Sequence, residues 1–119
     1  MVILFDQFNL PDNIYEVVFA TTQQIVVAQL LVKYIKAHKG SVTKPEMSEF
    51  ATKLHDGKVE HEGKKISYNK RQFYDRILTP MKSMGIIKYD LYKRTYSISD
   101  DFHKALLKLA HMWLEEFNL

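Results

Sequence analysis

The chain contains no cysteine, and only 4 glycines and 3 prolines among its 119 residues. Without cysteine a disulfide framework, a thiolate zinc site and a cysteine nucleophile are all excluded. The same absence is in keeping with a reducing cytoplasm, where we expect the protein to work. The scarcity of glycine and proline excludes collagen-like and low-complexity chains. No apolar run approaches the roughly 18 residues that a membrane helix needs. The opening Met1-Val2-Ile3-Leu4-Phe5-Asp6 has no basic region and is broken by an acid, so no signal peptide is expected. No glycine-rich phosphate loop, nucleophile elbow or paired-carboxylate motif is present either. The chain reads as no enzyme, with no cofactor and no membrane partner.

What is present is a domain-sized chain with 46% hydrophobic and 26% charged residues, enough to bury roughly two-thirds of the surface that its unfolded form exposes. Its formal net charge of +3 hides an uneven placement. Residues 53–94 hold 11 basic and 5 acidic side chains, a balance of +6, and the remainder holds 6 basic and 9 acidic, a balance of −3. A basic middle favours an anionic partner, most simply a phosphate backbone. A solvated, solubilising face accounts for the charge equally well.

Element signals run the length of the chain. Residues 1–12 form an apolar lead-in closed by the turn Asn9-Leu10-Pro11-Asp12. Asn13-Ile14-Tyr15-Glu16 has capping-box form, but Val17-Val18-Phe19 is β-rich, so helix and strand both stay open for the extension 1–21. From Thr22 an apolar periodicity runs toward Gly40, as in a helix stopped by glycine. Thr43-Lys44-Pro45-Glu46 is a second capping box, followed by Met47, Phe50, Ala51 and Leu54 on one stripe. Lys58 to Tyr68 predicts a small hairpin or a loop around Glu62-Gly63. A third helix starts at Asn69, with Phe73, Ile77, Met81 and Met84 on its inner face. Pro80 predicts a kink, or a restart capped by Thr79, before Gly85 ends the helix. Ile86–Tyr89 and Arg94–Ile98 form a β-hairpin with a charged tip. Ser99-Asp100-Asp101 then caps a helix with one apolar line through Phe102, Leu106, Leu109 and Trp113, and a second through Leu107, Ala110, Leu114 and Phe117. One line is expected to pack on the chain's own body. The other wants a partner, read as a second copy, though the apolar N-terminus wrapped on the helix satisfies the same residues.

Leu78-Thr79-Pro80-Met81-Lys82-Ser83-Met84-Gly85-Ile86-Ile87 resembles the junction at the end of the recognition helix in winged helix-turn-helix regulators of the MarR and PadR type. Arg94-Thr95-Tyr96-Ser97-Ile98-Ser99-Asp100 is similar to the returning strand of their wing, and Phe102 to Phe117 to the dimerisation helix of the PadR type. Together the matches span about residues 43–117. The resemblance implies a mainly α fold with a small β-hairpin: an extension over 1–21, a helix-turn-helix core and wing over 22–99, and a dimerisation helix over 100–119. Two departures stand out. About a dozen residues, His55 to Tyr68, replace the usual tight turn, and the N-terminal stretch is longer than the family's.

On this reading the third helix enters the major groove of double-stranded DNA. Arg71, Gln72 and Asp75 point outward with Lys70 and Tyr74 on the flanks. Arg71 and Gln72 are the best base-reading candidates, because Arg pairs with guanine and Gln with adenine through two hydrogen bonds. Asn69 presents the helix start to a phosphate, and Lys44 joins the backbone contacts. Lys88, Tyr92, Lys93 and Arg94 follow the backbone or enter the minor groove, while Lys58, Lys64 and Lys65 add phosphate contacts from the insert. The dimer interface is expected at Phe102, Leu106, Leu109, Trp113, Leu114 and Phe117. His55 and His61 lie among carboxylates, but no spacing matches a zinc pattern, so no metal is expected. The tyrosines of the hairpin suit single-stranded nucleic acid as well as packing. The reading is a homodimeric transcriptional regulator; the alternative is a winged helix used only for protein–protein assembly. The sequence points to no particular small-molecule effector.

Overall fold

A computed structural model describes residues 13–118; the apolar lead-in and its Asn9-Leu10-Pro11-Asp12 turn lie outside them. The order is α1 (Ile14–Val18), α2 (Thr22–Ala37), β1 (Ser41–Thr43), α3 (Lys44–His55), β2 (Val59–His61), β3 (Lys64–Ile66), α4 (Lys70–Phe73), a π-helical turn (Tyr74–Leu78), α5 (Thr79–Ser83), β4 (Ile87–Asp90), β5 (Thr95–Ile98) and α6 (Asp101–Glu116). The fold is thus α+β, with helices around one antiparallel sheet in the order β1-β5-β4 and a separate β2-β3 hairpin.

Local chemistry sets most boundaries. The Asn13 side chain accepts the Tyr15 N–H and starts α1, so this part of the extension is helical despite its β-rich composition. Thr21 caps α2, which buries Val27, Ala28, Leu31 and Ile35 completely. Its end is closed by Gly40 in the left-handed region, whose N–H reaches the Ile35 carbonyl. The Thr43–Glu46 capping box closes from both sides, at 3.2 and 2.8 Å. It starts α3 with Met47, Phe50, Ala51 and Leu54 inward. Between the Gly40 stop of α2 and the start of α3 lie only Ser41–Thr43, yet they form β1, with Val42 buried opposite Tyr96. Nothing in so short a segment announces a strand; its pairing with β5 is a tertiary event.

From Lys70 to Ser83 the backbone is one helical run. The expected restart at Thr79 is absent: Thr79 caps nothing, and its N–H instead reaches back five residues to the Tyr74 carbonyl. A widened turn before Pro80 accommodates a residue that has no N–H and whose ring crowds the carbonyl four residues earlier. It places the adjacent Ile77 and Leu78 both in the core, beside Phe73 and Met81. Phe73 meets Phe50 edge-on at 5.7 Å, which locks this run to α3. Gly85 has φ +82, and a Cβ there would lie 3.0 Å from Asp101 Cβ and 3.2 Å from the Phe102 nitrogen. The left-handed backbone and the close approach of α6 both require glycine.

The insert between α3 and α4 is a hairpin pairing Val59 with Ile66 and Glu60 with Lys65. Val59 and Ile66 are half-buried against the core. At α6 the cap differs from expectation. Asp100 makes no cap bond and pairs with Lys104 at 3.1 Å, while Ser99 Oγ takes the Asp101 N–H. The packing of one apolar line of this helix on its own body, expected from the spacing, is limited among the described residues to Phe102 and Leu106. No residue of α6 is buried, and Leu107, Leu109, Met112, Trp113, Leu114 and Phe117 are all exposed, Trp113 by 62%. Only Phe102 and Leu106 are partly covered. No helix among the described residues is long and apolar enough to cross a membrane.

Candidate nucleic-acid interface

Three elements, the β4-β5 hairpin, α3 and α4, are joined through α3. The β4-β5 hairpin ends in a turn shaped by Asp90, whose carboxylate accepts the N–H groups of Tyr92 and Lys93 at 2.9 and 3.1 Å. These bonds, the Lys93 N–H foremost, hold the Asp90 carboxyl below its ordinary pKa, with the cations of Lys93 and Lys88 adding to the effect. Arg94 takes a left-handed conformation, φ +53, to turn the chain back into β5. Leu91 and Tyr92 at the tip are exposed by 78% and 100%.

The Lys44 N–H bonds to the Arg94 carbonyl, so the start of α3 sits under the end of that hairpin. One and two turns further along α3, Ser48 and Thr52 accept hydrogen bonds from Lys70 Nζ at 3.3 and 2.9 Å. α3 therefore bridges the other two, with the hairpin tip at its start and the start of α4 beside its later turns. The start of α4 is doubly fixed: Asn69 accepts the Gln72 N–H, and His55 Nδ1 accepts the Lys70 N–H at 3.1 Å.

On α4 and the turn after it Arg71, Gln72 and Asp75 are exposed, as the helical spacing predicts. Arg71 Nε lies 3.7 Å from Asp75 Oδ2, and both groups are open to water. Such a pair contributes little to stability, but it restrains where the guanidinium points. Asn69 is at the helix start, yet its side-chain oxygen is engaged as a cap. Lys70 is partly buried and tied to α3, which makes it a positioning residue and not a free outward cation. Tyr74 is also half-buried, against Phe73. Lys44, Lys88, Lys93 and Arg94 are exposed.

One residue of this helical run escapes the sequence reading: Arg76. It is exposed and has no carboxylate within ion-pair distance among the described residues. The signal was available, since Arg76 follows Gln72 by four residues and shares its outward face. Lys82, by contrast, points its ammonium toward Tyr89 and Tyr96, 5.9 Å from each ring centroid. Those two rings pack on each other at 4.6 Å, and burial, with Tyr74 and Tyr89 close by, pushes the Tyr96 hydroxyl's pKa up.

Lys58, Lys64 and Lys65 are exposed on the insert. They share residues 56–66 with three carboxylates, Asp56, Glu60 and Glu62, and Glu60 stands directly opposite Lys65. The insert is thus electrically neutral. The charge excess belongs to residues 67–94, with 7 cations against 2 carboxylates, a balance of +5. His55 serves as a helix cap and His61 lies 3.8 Å from Glu62. No group of three metal-ligating side chains comes together among the described residues. No protein-family model, curated protein or solved structure matches this chain.

Proposed function

We propose that this is a winged helix-turn-helix protein that binds double-stranded DNA sequence-specifically, as a homodimeric transcriptional regulator. The observation that carries the reading is that α3 joins the tip of the β4-β5 hairpin, at its start, to the start of α4, beside its later turns, the net positive charge of the chain falling within residues 67–94. The element order helix, strand, helix, helix, hairpin supports it, with β1 closing the β1-β5-β4 sheet at the root of the wing.

In this account α4 enters the major groove by its first turns, Arg71 and Gln72 reading base edges and Arg76 lying on the same outward face. Lys44, Lys88, Lys93 and Arg94 contact phosphates, and Tyr92 stands at the tip where a minor groove would receive it. Lys70 holds the angle between α3 and α4 that the inserted hairpin would otherwise leave free. The exposed α6 supplies the dimer contact. Anisotropy with a fluorescent pool of random duplexes tests the reading: binding at low salt, lost steeply as salt rises, is expected. No binding to any duplex at low salt would leave protein–protein assembly as the function of the fold.

A further inference from the structure

We infer that the tip of the β4-β5 hairpin is a wedge: Leu91 and Tyr92 enter the minor groove, open one base step and bend the duplex. The inference rests on the double-stranded DNA reading and adds what the tip does to the DNA. A hairpin that only follows the backbone needs cations and polar groups at its apex. Here the apex is aliphatic and aromatic. Leu91 is exposed by 78% and its neighbour Tyr92 by 100%. Ile14 and residues 107–117 apart, no other large hydrophobic side chain among the described residues is exposed. Lys88, Lys93 and Arg94 flank the pair, exposed and with no ion-pair partner among the described residues. A leucine side chain has nothing to offer a phosphate. An opened base step suits it, because the bared base faces are apolar and the phosphates on either side meet the flanking cations.

A wedge must be stiff, or it yields before the base stack does. Leu91 to Arg94 form the whole loop, closed by Asp90 opposite Thr95. The Asp90 carboxylate holds the loop from within by the N–H groups of both Tyr92 and Lys93. The Lys44 N–H holds it from below by the Arg94 carbonyl. Arg94 stands at φ +53, a conformation that glycine adopts without strain, so the loop keeps a cation at its return on a strained backbone. Apolar wedges in the minor groove kink a duplex toward its major groove, which in this reading is where α4 lies. Opening is easiest at a pyrimidine–purine step such as TA. The tip therefore selects deformable DNA without reading a base edge.

Two duplexes test the wedge, one with a central TA step and one with that step replaced by AA, each carrying a donor and an acceptor dye at its ends. At low salt the natural chain should bind the TA duplex about tenfold more tightly than the AA duplex and raise its energy transfer as the ends approach. 2-Aminopurine placed in the TA step should brighten as the step opens. The double variant L91S/Y92A, checked for folding by circular dichroism, should bind both duplexes alike, without added transfer or brightening. Leu91→Ser alone should lose most of the brightening. Lys93→Ala should weaken both duplexes to the same extent, yet bend the TA duplex fully at saturation. Bending and brightening that survive in L91S/Y92A, or a natural chain that binds both duplexes with neither signal, overturn the wedge and leave the DNA reading standing. Failure to bind these duplexes or any random pool removes both. Tighter binding to the separated strands than to either duplex would put the tip on single-stranded bases and overturn the double-stranded reading with the wedge.

Discussion

The salt dependence of DNA binding follows from a count of cations. Lys44, Arg76, Lys88, Lys93 and Arg94 are exposed and have no ion-pair partner among the described residues. Lys70 is held by Ser48 and Thr52, and Arg71 is shared with Asp75. If these five residues contact phosphates in each protomer, a dimer neutralises ten, and the slope of log K against log salt is about −9. Raising salt fourfold, from about 50 to 200 mM, then costs about 10⁵-fold in affinity. Lys93→Ala removes two contacts per dimer and should flatten the slope to about −7, with all duplexes weakened alike. Lys70→Met should leave the slope almost unchanged while weakening the fold of the α3–α4 junction. Anisotropy titrations at four salt concentrations measure both. A slope unaffected by Lys93→Ala, or flattened by Lys70→Met as much as by Lys93→Ala, refutes this placement of the binding surface.

Further tests address the reading residues and the scaffold. Arg71→Ala should relax preference at one or two base positions while leaving the salt slope near its original value, as read by competition with single-base variants of a bound duplex. Gly85→Ala forces a left-handed conformation on a residue with a Cβ and crowds Asp101. It should cost about 2 kcal/mol and lower Tm by roughly 10 °C; an unchanged Tm would show that α6 does not depend on that approach. Thr43→Ala should cost about 1 kcal/mol of helix-cap stability in urea titrations. It should also let the Glu46 carboxyl return part of the way toward its ordinary pKa, because alanine keeps the backbone N–H and loses only the hydroxyl. Glu46 is held low first by the Thr43 N–H, then by the Thr43 side chain. A lowered carboxylate stabilises the fold above its ordinary value, and that contribution is lost as pH falls through the lowered one. The wild-type advantage over Thr43→Ala should therefore shrink slightly on acidification; an advantage independent of pH would show that the Thr43 hydroxyl takes no part in lowering the carboxyl.

Much of this was legible in the sequence because the signals are local. The Thr43–Glu46 box, the stripe through Leu54, the Asn69 cap and the Gly85 stop each act within a few residues, and each sits where the spacing puts it. Features that arise from contacts across the chain were not. β1 exists because Val42 meets Tyr96, far along the sequence. The ammonium of Lys70 looks free until α3 is laid beside it. The widened turn before Pro80 is one of several ways to accommodate a proline, and spacing does not choose among them. For α6, the spacing places two apolar lines on the helix, and beyond Phe102 and Leu106 both are exposed. Composition could not say that the described body of the same chain covers only Phe102 and Leu106, and those in part.

Selection of bound duplexes from a random library tests the central claim most directly. The account predicts enrichment of a two-fold symmetric sequence, its half-sites separated by about one helical turn or a multiple of it, and loss of that enrichment for Arg71→Ala. A pool that stays random after repeated rounds, with the protein folded throughout, would contradict it.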